Sequence, residues 1–334
     1  SVGGGVINFI MEIEGMEFVN AVKHLADQYS IELQIDETAG RSKDLIAQLF
    51  DIHAQTAHTF LKNLGTEEGS KVLAHLESRG LTRDTIKKFK LGYSLKQKDA
   101  LLSAFRTERV RSDAMQQSGL FIDTKNGYMD RFRGRIMFSI SNSAGKIAAF
   151  AGRVFESDDP AKYINSPETP IYNKSKILYG LHESKQVIRE NKSVIVVEGY
   201  LDFLQLYQSG IHNCVAVSGT AFTDQHALQL KRFCNNDYLA YDGDSAGKAA
   251  AIRAGYVLLR TGISAFIVNI PEGLDPDDWV KRDGNTPFSE AVIKGEKILN
   301  FHYNNYKGDV STTSGKTAFV NDVLMEIIQV NNPV

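Results

Sequence analysis

Cysteine is nearly absent: Cys214 and Cys234 are the only two in 334 residues, and they form no CxxC pair. That leaves no disulfide framework and no thiolate metal spacing, and it suits reduced thiols in a cytoplasmic protein. Long apolar runs are lacking as well. No stretch approaches the roughly 18 residues of a membrane span, and the first residues do not read as a signal peptide. Net charge is small, with 38 Lys and Arg against 40 Asp and Glu. The near balance hides a division. Between Arg79 and Lys192 there are 22 basic and 12 acidic residues, and the remainder holds 16 basic and 28 acidic. A basic half beside an acidic half suggests a polyanion on one side and cations on the other.

The length exceeds what one core usually serves, so more than one domain is expected. Residues 1–43, glycine-rich and then helical through Phe18, Val22 and Leu25, read as an arm or linker. Residues 44–64 form an amphipathic pattern, and "EEGSKVLAHLESRGLTRDTIKKFKLGY" follows with Gly80 at a helix C-cap and Thr82 at the next N-cap. Near 119–154 the period shifts: "GRIMFSI" and "IAAFAGRVF" look like strands joined by a turn. Residues 44–190 are thus a basic α+β subdomain. From 191 to 288, apolar β-branched runs alternate with helices, which implies a parallel sheet covered on both faces. Residues 289–334 read as a helical subdomain that stops at "VNNPV". Trp279 and the aromatics Phe9, Phe18, Phe50 and Phe60 look like core.

The acidic residues cluster where strands end. Glu198 and Gly199 close the first parallel strand, Ser218-Gly219-Thr220 the second, and "YDGDSAG" places Asp242 and Asp244 after the third. "LDPDD" brings Asp275 and Asp277 after the fourth, and Asp202 lies one helical turn beyond Glu198. In open α/β sheets ligands sit beyond the carboxyl ends of the strands. Helix capping accounts for one or two of these residues, Asp244 and Asp275 foremost. Two carboxylates about 5 Å apart repel by roughly 3 kcal/mol at an effective dielectric of 20, and a divalent cation reverses that sign. An all-oxygen donor set points to magnesium or manganese. Two decoys fail on spacing. A calcium loop from Asp242 would need ligands at Ala246 and Arg253, and a P-loop ending in "SGKT" would need glycine at Val310.

"VEGYLDF" and "YDGDSAG" together resemble the toprim domain, with its glutamate after one strand and its DxD after another. "RFRGRIMFSISNSAGKIAAFAGR" and "KYINSPETPIYNKSKILYGL" resemble the segments that precede toprim in bacterial replicative DNA primases. The similarity runs from about Gly3 to Val334. Serine in "MFSIS" and alanine in "FAGR" depart from the family's common proline and glycine. The resemblance implies a toprim α/β domain between a basic α+β subdomain and a helical one, with the zinc-binding domain missing ahead and most of a helicase-binding domain missing behind. No zinc is then expected in this stretch.

What the resemblance implies for residues is specific. Glu198, Asp242 and Asp244 would be catalytic, binding Mg2+ (or Mn2+) with Asp275 and Asp277. Lys162, Tyr163, Asn165, Lys174 and Asp202 would meet the nucleotide. Arg79 and Arg153 would guide DNA, as would Arg131, Arg133 and Arg135, whose alternation puts all three on one face of an extended chain. The bland reading of each arginine is surface charge or bonding to local carbonyls. The expected partners are single-stranded DNA template, ribonucleoside triphosphates, the RNA primer, a replicative helicase, and stress nucleotides as inhibitors, in a bacterial cytoplasm. A toprim nuclease and a nucleotide-binding regulator are the alternatives.

Overall fold

The computed structural model describes residues 5–7, 9, 10, 22, 24–26, 28, 29, 37–105, 111–125, 127–156, 159–217, 219 and 221–328. By its contacts the chain falls into two units, 1–45 and 46–334. In the first, the described residues from 22 to 28 are helical, as their periodicity predicts. Phe9 is exposed, against the expectation of a core position, and Phe18 lies outside the described residues.

The helix predicted over 44–64 is α1 (Glu37–Asn63), begun earlier in the chain. In the second unit come α2 (Glu67–Ser78) and α3 (Arg83–Lys88). Between them Gly80 takes φ +85°, and Thr82 Oγ1 accepts the Thr85 N–H at 3.2 Å. Both caps stand where "SRGLT" puts them. After β1 (Gly92–Ser94), the short helices α4 (Ala100–Ala104) and α5 (Ser112–Gln117) lead to a hairpin of β2 (Phe121–Thr124) and β3 (Gly127–Asp130). The strands expected in "GRIMFSI" and "IAAFAGRVF" are β4 (Arg135–Ser141) and β5 (Ile147–Val154). They pair antiparallel, with β6 (Tyr163–Asn165) beyond, in the order β1-β4-β5-β6.

The arginine row does not form. Residues 131–134 are loop, with Gly134 at φ +60°, so no continuous strand carries all three side chains on one face. Arg135 is 3% exposed. Its guanidinium donates to the carbonyls of Gly152 and Ala161 and pairs with Asp159. Arg133 donates to the Asp130 carbonyl, and Arg131 Nε is buried. The bonds of Arg133 and Arg135 to carbonyls match the bland reading of those two residues.

The second half alternates as predicted. In chain order come α6 (Leu181–Asn191), β7 (Ser193–Val197), α7 (Tyr200–Gln208), β8 (Cys214–Ala216), α8 (Asp224–Leu230), β9 (Asn236–Leu239), α9 (Ser245–Arg260) and β10 (Ser264–Ile267). Then follow α10 (Pro276–Asp283), α11 (Asn285–Ile293), β11 (Glu296–Lys297), α12 (Ile298–Asn304) and α13 (Thr313–Ile328). The sheet order is β11-β10-β9-β7-β8, with β7 to β10 parallel. The tail expected to be all helix thus adds an antiparallel edge strand, β11. "SGKT" opens α13 rather than a phosphate loop.

Two apolar cores sandwich the parallel sheet. One holds Val194, Val196 and Leu239 with Leu258 of α9. The other joins Ile195 and Val197 to Phe138 and Ile140 of the antiparallel sheet through Tyr179, Tyr200 and Phe203. Tyr200 stacks on Phe138 at 4.9 Å, so the two sheets are fixed across shared aromatic packing. Among the described residues no helix is long and apolar enough to cross a membrane.

Arg135→Gln should lower unfolding free energy by about 2 kcal/mol, since it strips donors from buried carbonyls and removes the ion pair to Asp159. Urea denaturation reads that loss, and affinity for single-stranded DNA should be unchanged. A stable variant with weakened DNA binding would restore the row to the nucleic-acid surface.

Candidate active site

The strand order creates the site. From β7 the chain crosses to β8 on one side, then returns past β7 to β9 and on to β10. The order therefore reverses between β7 and β9, and a crevice opens at their carboxyl ends. Register sets Val196 beside Leu239, so Glu198 emerges next to Tyr241 and Asp242.

"YDGDSAG" is shaped by close approach. A Cβ at Gly243 would lie 2.2 Å from the Pro271 carbonyl oxygen, and one at Gly247 would lie 2.2 Å from that of Asp242. Only glycine lets the turn close, and the Gly243 N–H then donates to Leu274 O at 2.9 Å. That bond draws Asp242 toward the loop carrying Asp275. Asp244 is exposed and caps α9, its Oδ1 accepting the Gly247 N–H at 2.7 Å. Asp275 caps α10, accepting the Asp278 N–H at 2.6 Å.

One cavity of about 610 Å³ gathers most of the predicted residues. The parallel sheet contributes Glu198, Asp202, Asp242, Asp275 and Asp277, and the basic half contributes Arg79, Arg153, Lys162, Tyr163 and Asn165. Arg153 and Tyr163 are cross-strand partners, with the guanidinium 6.0 Å from the ring centroid. The Tyr200 hydroxyl donates to Asn165 Oδ1 at 3.2 Å. Asp244, Lys174, Arg131, Arg133 and Arg135 do not line this cavity. At Lys174 the backbone is tied down: its N–H donates to Glu168 and its carbonyl meets His226 Nε2. Ser218 and Thr220 lie outside the described residues.

Three predicted roles shift on inspection. Asp277 Oδ2 is held by Arg79 at 2.8 Å and Lys281 at 2.6 Å, so this carboxylate is already neutralised and Arg79 is committed to it. Asp202 is 7% exposed and bridges elements rather than reaching out. It accepts the Gly199 N–H at 2.9 Å and the Asp277 N–H at 3.3 Å. Asp278, not singled out in the sequence, joins Asp275 and Asp277 in a trio whose ligand atoms lie within 4.8 Å of one another. Lys281 was also missed, although its i,i+4 spacing from Asp277 announces the pair.

Crowding shows in the acidities. Burial, then the charges of Asp242 and Asp244, raises the Glu198 pKa, opposed by a hydrogen bond from the Asp242 N–H. Burial and Asp275 raise Asp242. Burial and the charges of Asp275 and Asp242 push Asp202 up to about 8.

Residues 59–185 match the family model "DNA primase catalytic core, N-terminal domain", and residues 195–280 match "Toprim-like". A solved structure of a DNA primase domain from Pseudomonas aeruginosa is 32% identical, covers 85% of this chain and 91% of its own, and superposes with a TM-score of 0.79. The chain belongs to the bacterial DNA primase family. The DNA primase of Listeria monocytogenes is 34% identical over 99% of this chain but only 55% of its own length. The chain thus spans about half the length of the curated relatives it matches. A DnaG primase catalytic domain solved bound to single-stranded DNA is 32% identical, covers 86% of this chain and 94% of its own, and has a TM-score of 0.76.

Residues 1–41 match a CHC2 zinc finger, which qualifies the expectation of no zinc. That stretch contains no cysteine and one histidine, His24, so it does not supply the nitrogen and sulfur ligands of a structural zinc site. A divalent ion bound by oxygen fits the primase crevice well. Glu198 Oε1 is buried without a hydrogen-bond partner, and the aspartate trio offers only hard carboxylate oxygens.

These acidities set a pH dependence. A carboxyl raised in the folded chain holds a proton that the unfolded chain has lost, so stability falls as pH climbs toward the folded pKa. The buried His53 and His226, lowered to about 4, act oppositely but are complete by their unfolded pKa of about 6.5. Between about pH 6.5 and about pH 8.5, urea midpoints without divalent ions should therefore fall. Mn2+ should restore them, and Asp202→Asn should flatten the slope. A metal-free midpoint that does not change over this range would show that the carboxylates do not crowd.

Proposed function

We propose that the chain is the RNA-polymerising core of a primase, which joins ribonucleoside triphosphates on single-stranded DNA into short RNA primers. The observation that carries this reading is the single cavity in which the acidic sheet edge meets Arg153, Lys162 and Arg79. Its volume of about 610 Å³ suits a nucleotide. Glu198, Asp242 and Asp244, with Asp275 and Asp278, hold Mg2+, for which Mn2+ substitutes. Such ions, when bound, polarise phosphoryl oxygens and favour ionisation of an attacking hydroxyl. Lys162 and Arg153 neutralise the triphosphate as it enters. Asn165, oriented by the Tyr200 hydroxyl, meets the sugar, and Tyr163 flanks it. Lys174, outside the cavity, would meet longer phosphate chains, stress nucleotides included. Asp202, neutral up to about pH 8, keeps the start of α7 against α10 so that Glu198 and Asp277 stay in register.

In a bacterial cell this activity belongs in the cytoplasm beside the replicative helicase. The template would follow the basic half, where phosphate contacts position without reading sequence.

Incubation with single-stranded DNA carrying an annealed RNA primer, nucleoside triphosphates and Mg2+ should extend the primer. Asp242→Asn should cut kcat by about 1,000-fold or more, and Lys162→Ala should raise KM about tenfold with little change in kcat. Absence of extension with either Mg2+ or Mn2+ would refute the proposal, and so would full activity in Asp242→Asn.

A further inference from the structure

A cavity of about 160 Å³ opens at the end of the antiparallel sheet away from the crevice. Ser139 and Ser141 of β4 line it, whereas Ile136, the cross-strand neighbour of Arg153, marks the crevice end of that strand. At about 3.3 Å per residue, Ser141 lies roughly 16 Å from Ile136. The two cavities share no lining residue. Opposite β4 stand the start of α6, with His182 and Glu183, and the segment after α3, with Lys88 and Lys90. Lys88 is taken by the Tyr207 hydroxyl at 2.7 Å. Lys90 is exposed and pairs with no carboxylate among the described residues. It takes φ +49°, a left-handed conformation that glycine adopts far more readily. The Ser139 hydroxyl donates to the Lys90 carbonyl at 2.9 Å and holds that turn at the cavity.

Donors outnumber acceptors here. Eleven residues long, α6 begins at Gly180, and His182 and Glu183 fall in its first turn. The first N–H groups of a helix have no partner within it and favour anions. Tyr179 supplies the independent sign of a ligand. It is 2% exposed, yet its hydroxyl has no hydrogen-bond partner. Burial, then the Glu183 charge, raises the pKa of that hydroxyl well above its ordinary value, so it stays a protonated donor. Tyr179 and Glu183 line the same cavity. A buried O–H without an acceptor is costly unless a ligand brings one. Glu183 is the exception among these groups, since a carboxylate only accepts and repels a bare anion. Phosphate at about pH 6 still carries a proton that it can donate, whereas sulfate and the phosphodiesters of a nucleic-acid backbone carry none.

We infer that this cavity seats a protonated phosphate, inorganic phosphate being the simplest case. The Tyr179 hydroxyl and the first N–H groups of α6 donate to its oxygens, and Lys90 balances its charge. Its own O–H donates to Glu183. That carboxylate makes the seat selective, because an anion without a proton meets the repulsion and gains no bond in return. The seat also touches the core that joins the two sheets. The Tyr179 ring meets Tyr200 edge-on, with centroids 4.9 Å apart, so a filled seat pins the aromatic cluster from the side opposite Asn165.

Equilibrium dialysis of radiolabelled inorganic phosphate at about pH 6, without divalent ions, tests the seat. Phosphate should bind saturably, and sulfate should compete at least about tenfold less well than unlabelled phosphate. Tyr179→Phe should weaken phosphate about tenfold, as should Lys90→Gly, which suits the left-handed backbone. Glu183→Gln should bring sulfate and phosphate close to equality. Urea midpoints without phosphate check that each variant is folded, and the exposed Lys90 and the half-buried Glu183 decide the matter if Tyr179→Phe is not. Oligonucleotides separate the sources of the ligand. Displacement by a 5′-phosphorylated strand but not by its unphosphorylated twin would name a strand end, and displacement by neither would name free phosphate. No binding, equal competition by sulfate in the wild type, displacement by the unphosphorylated strand, or behaviour unaltered in both Lys90→Gly and Glu183→Gln would overturn the inference.

Discussion

Repulsion among carboxylates at the carboxyl edge of the parallel sheet is the constraint on which the rest of the structure turns. Parallel pairing of β7 with β9 forces Glu198 and Asp242 together, and the Gly243 bond to Leu274 brings the Asp275 loop against them. The fold relieves part of this. Arg79 and Lys281 neutralise Asp277, and backbone N–H groups cap Asp202, Asp244 and Asp275. Glu198, Asp242 and Asp278 receive no comparable counter-charge within hydrogen-bond reach among the described residues, and burial worsens the position of Glu198 and Asp242. A divalent cation would resolve the conflict that the protein leaves open.

The basic half matters because it is rigidly joined to that edge. Phe138, Tyr179, Tyr200 and Phe203 interlock the two sheets in one core. The same Tyr200 that stacks on Phe138 orients Asn165 through its hydroxyl. Packing and polar positioning thus use one side chain, so the distance between Lys162 and the acidic sheet edge is set by core geometry. Arg153 and Tyr163 are fixed in the same way, as a cross-strand pair.

Much of this was legible in the sequence. Alternating β-branched runs and helices gave the parallel sheet, and acidic residues at strand ends gave the crevice, because both follow from local periodicity and chain order. The failures were tertiary. Alternation of Arg131, Arg133 and Arg135 suggested one face, but Gly134 breaks the strand, and the carbonyls that bury Arg135 are distant in sequence. Asp277 looked like an open ligand because its partner Arg79 lies 198 residues away. The strand β11 is too short for any periodicity to show.

The central claim is that these carboxylates exist to receive a divalent cation, displacing protons that burial and crowding hold on them. Calorimetric titration of Mn2+ in two buffers of different ionisation enthalpy measures binding and proton release together. The account expects saturable binding with net proton release at about pH 6.5, a release that shrinks toward about pH 8.5 as Asp202 ionises. Binding that is absent, or that releases no protons at the lower pH, would contradict it.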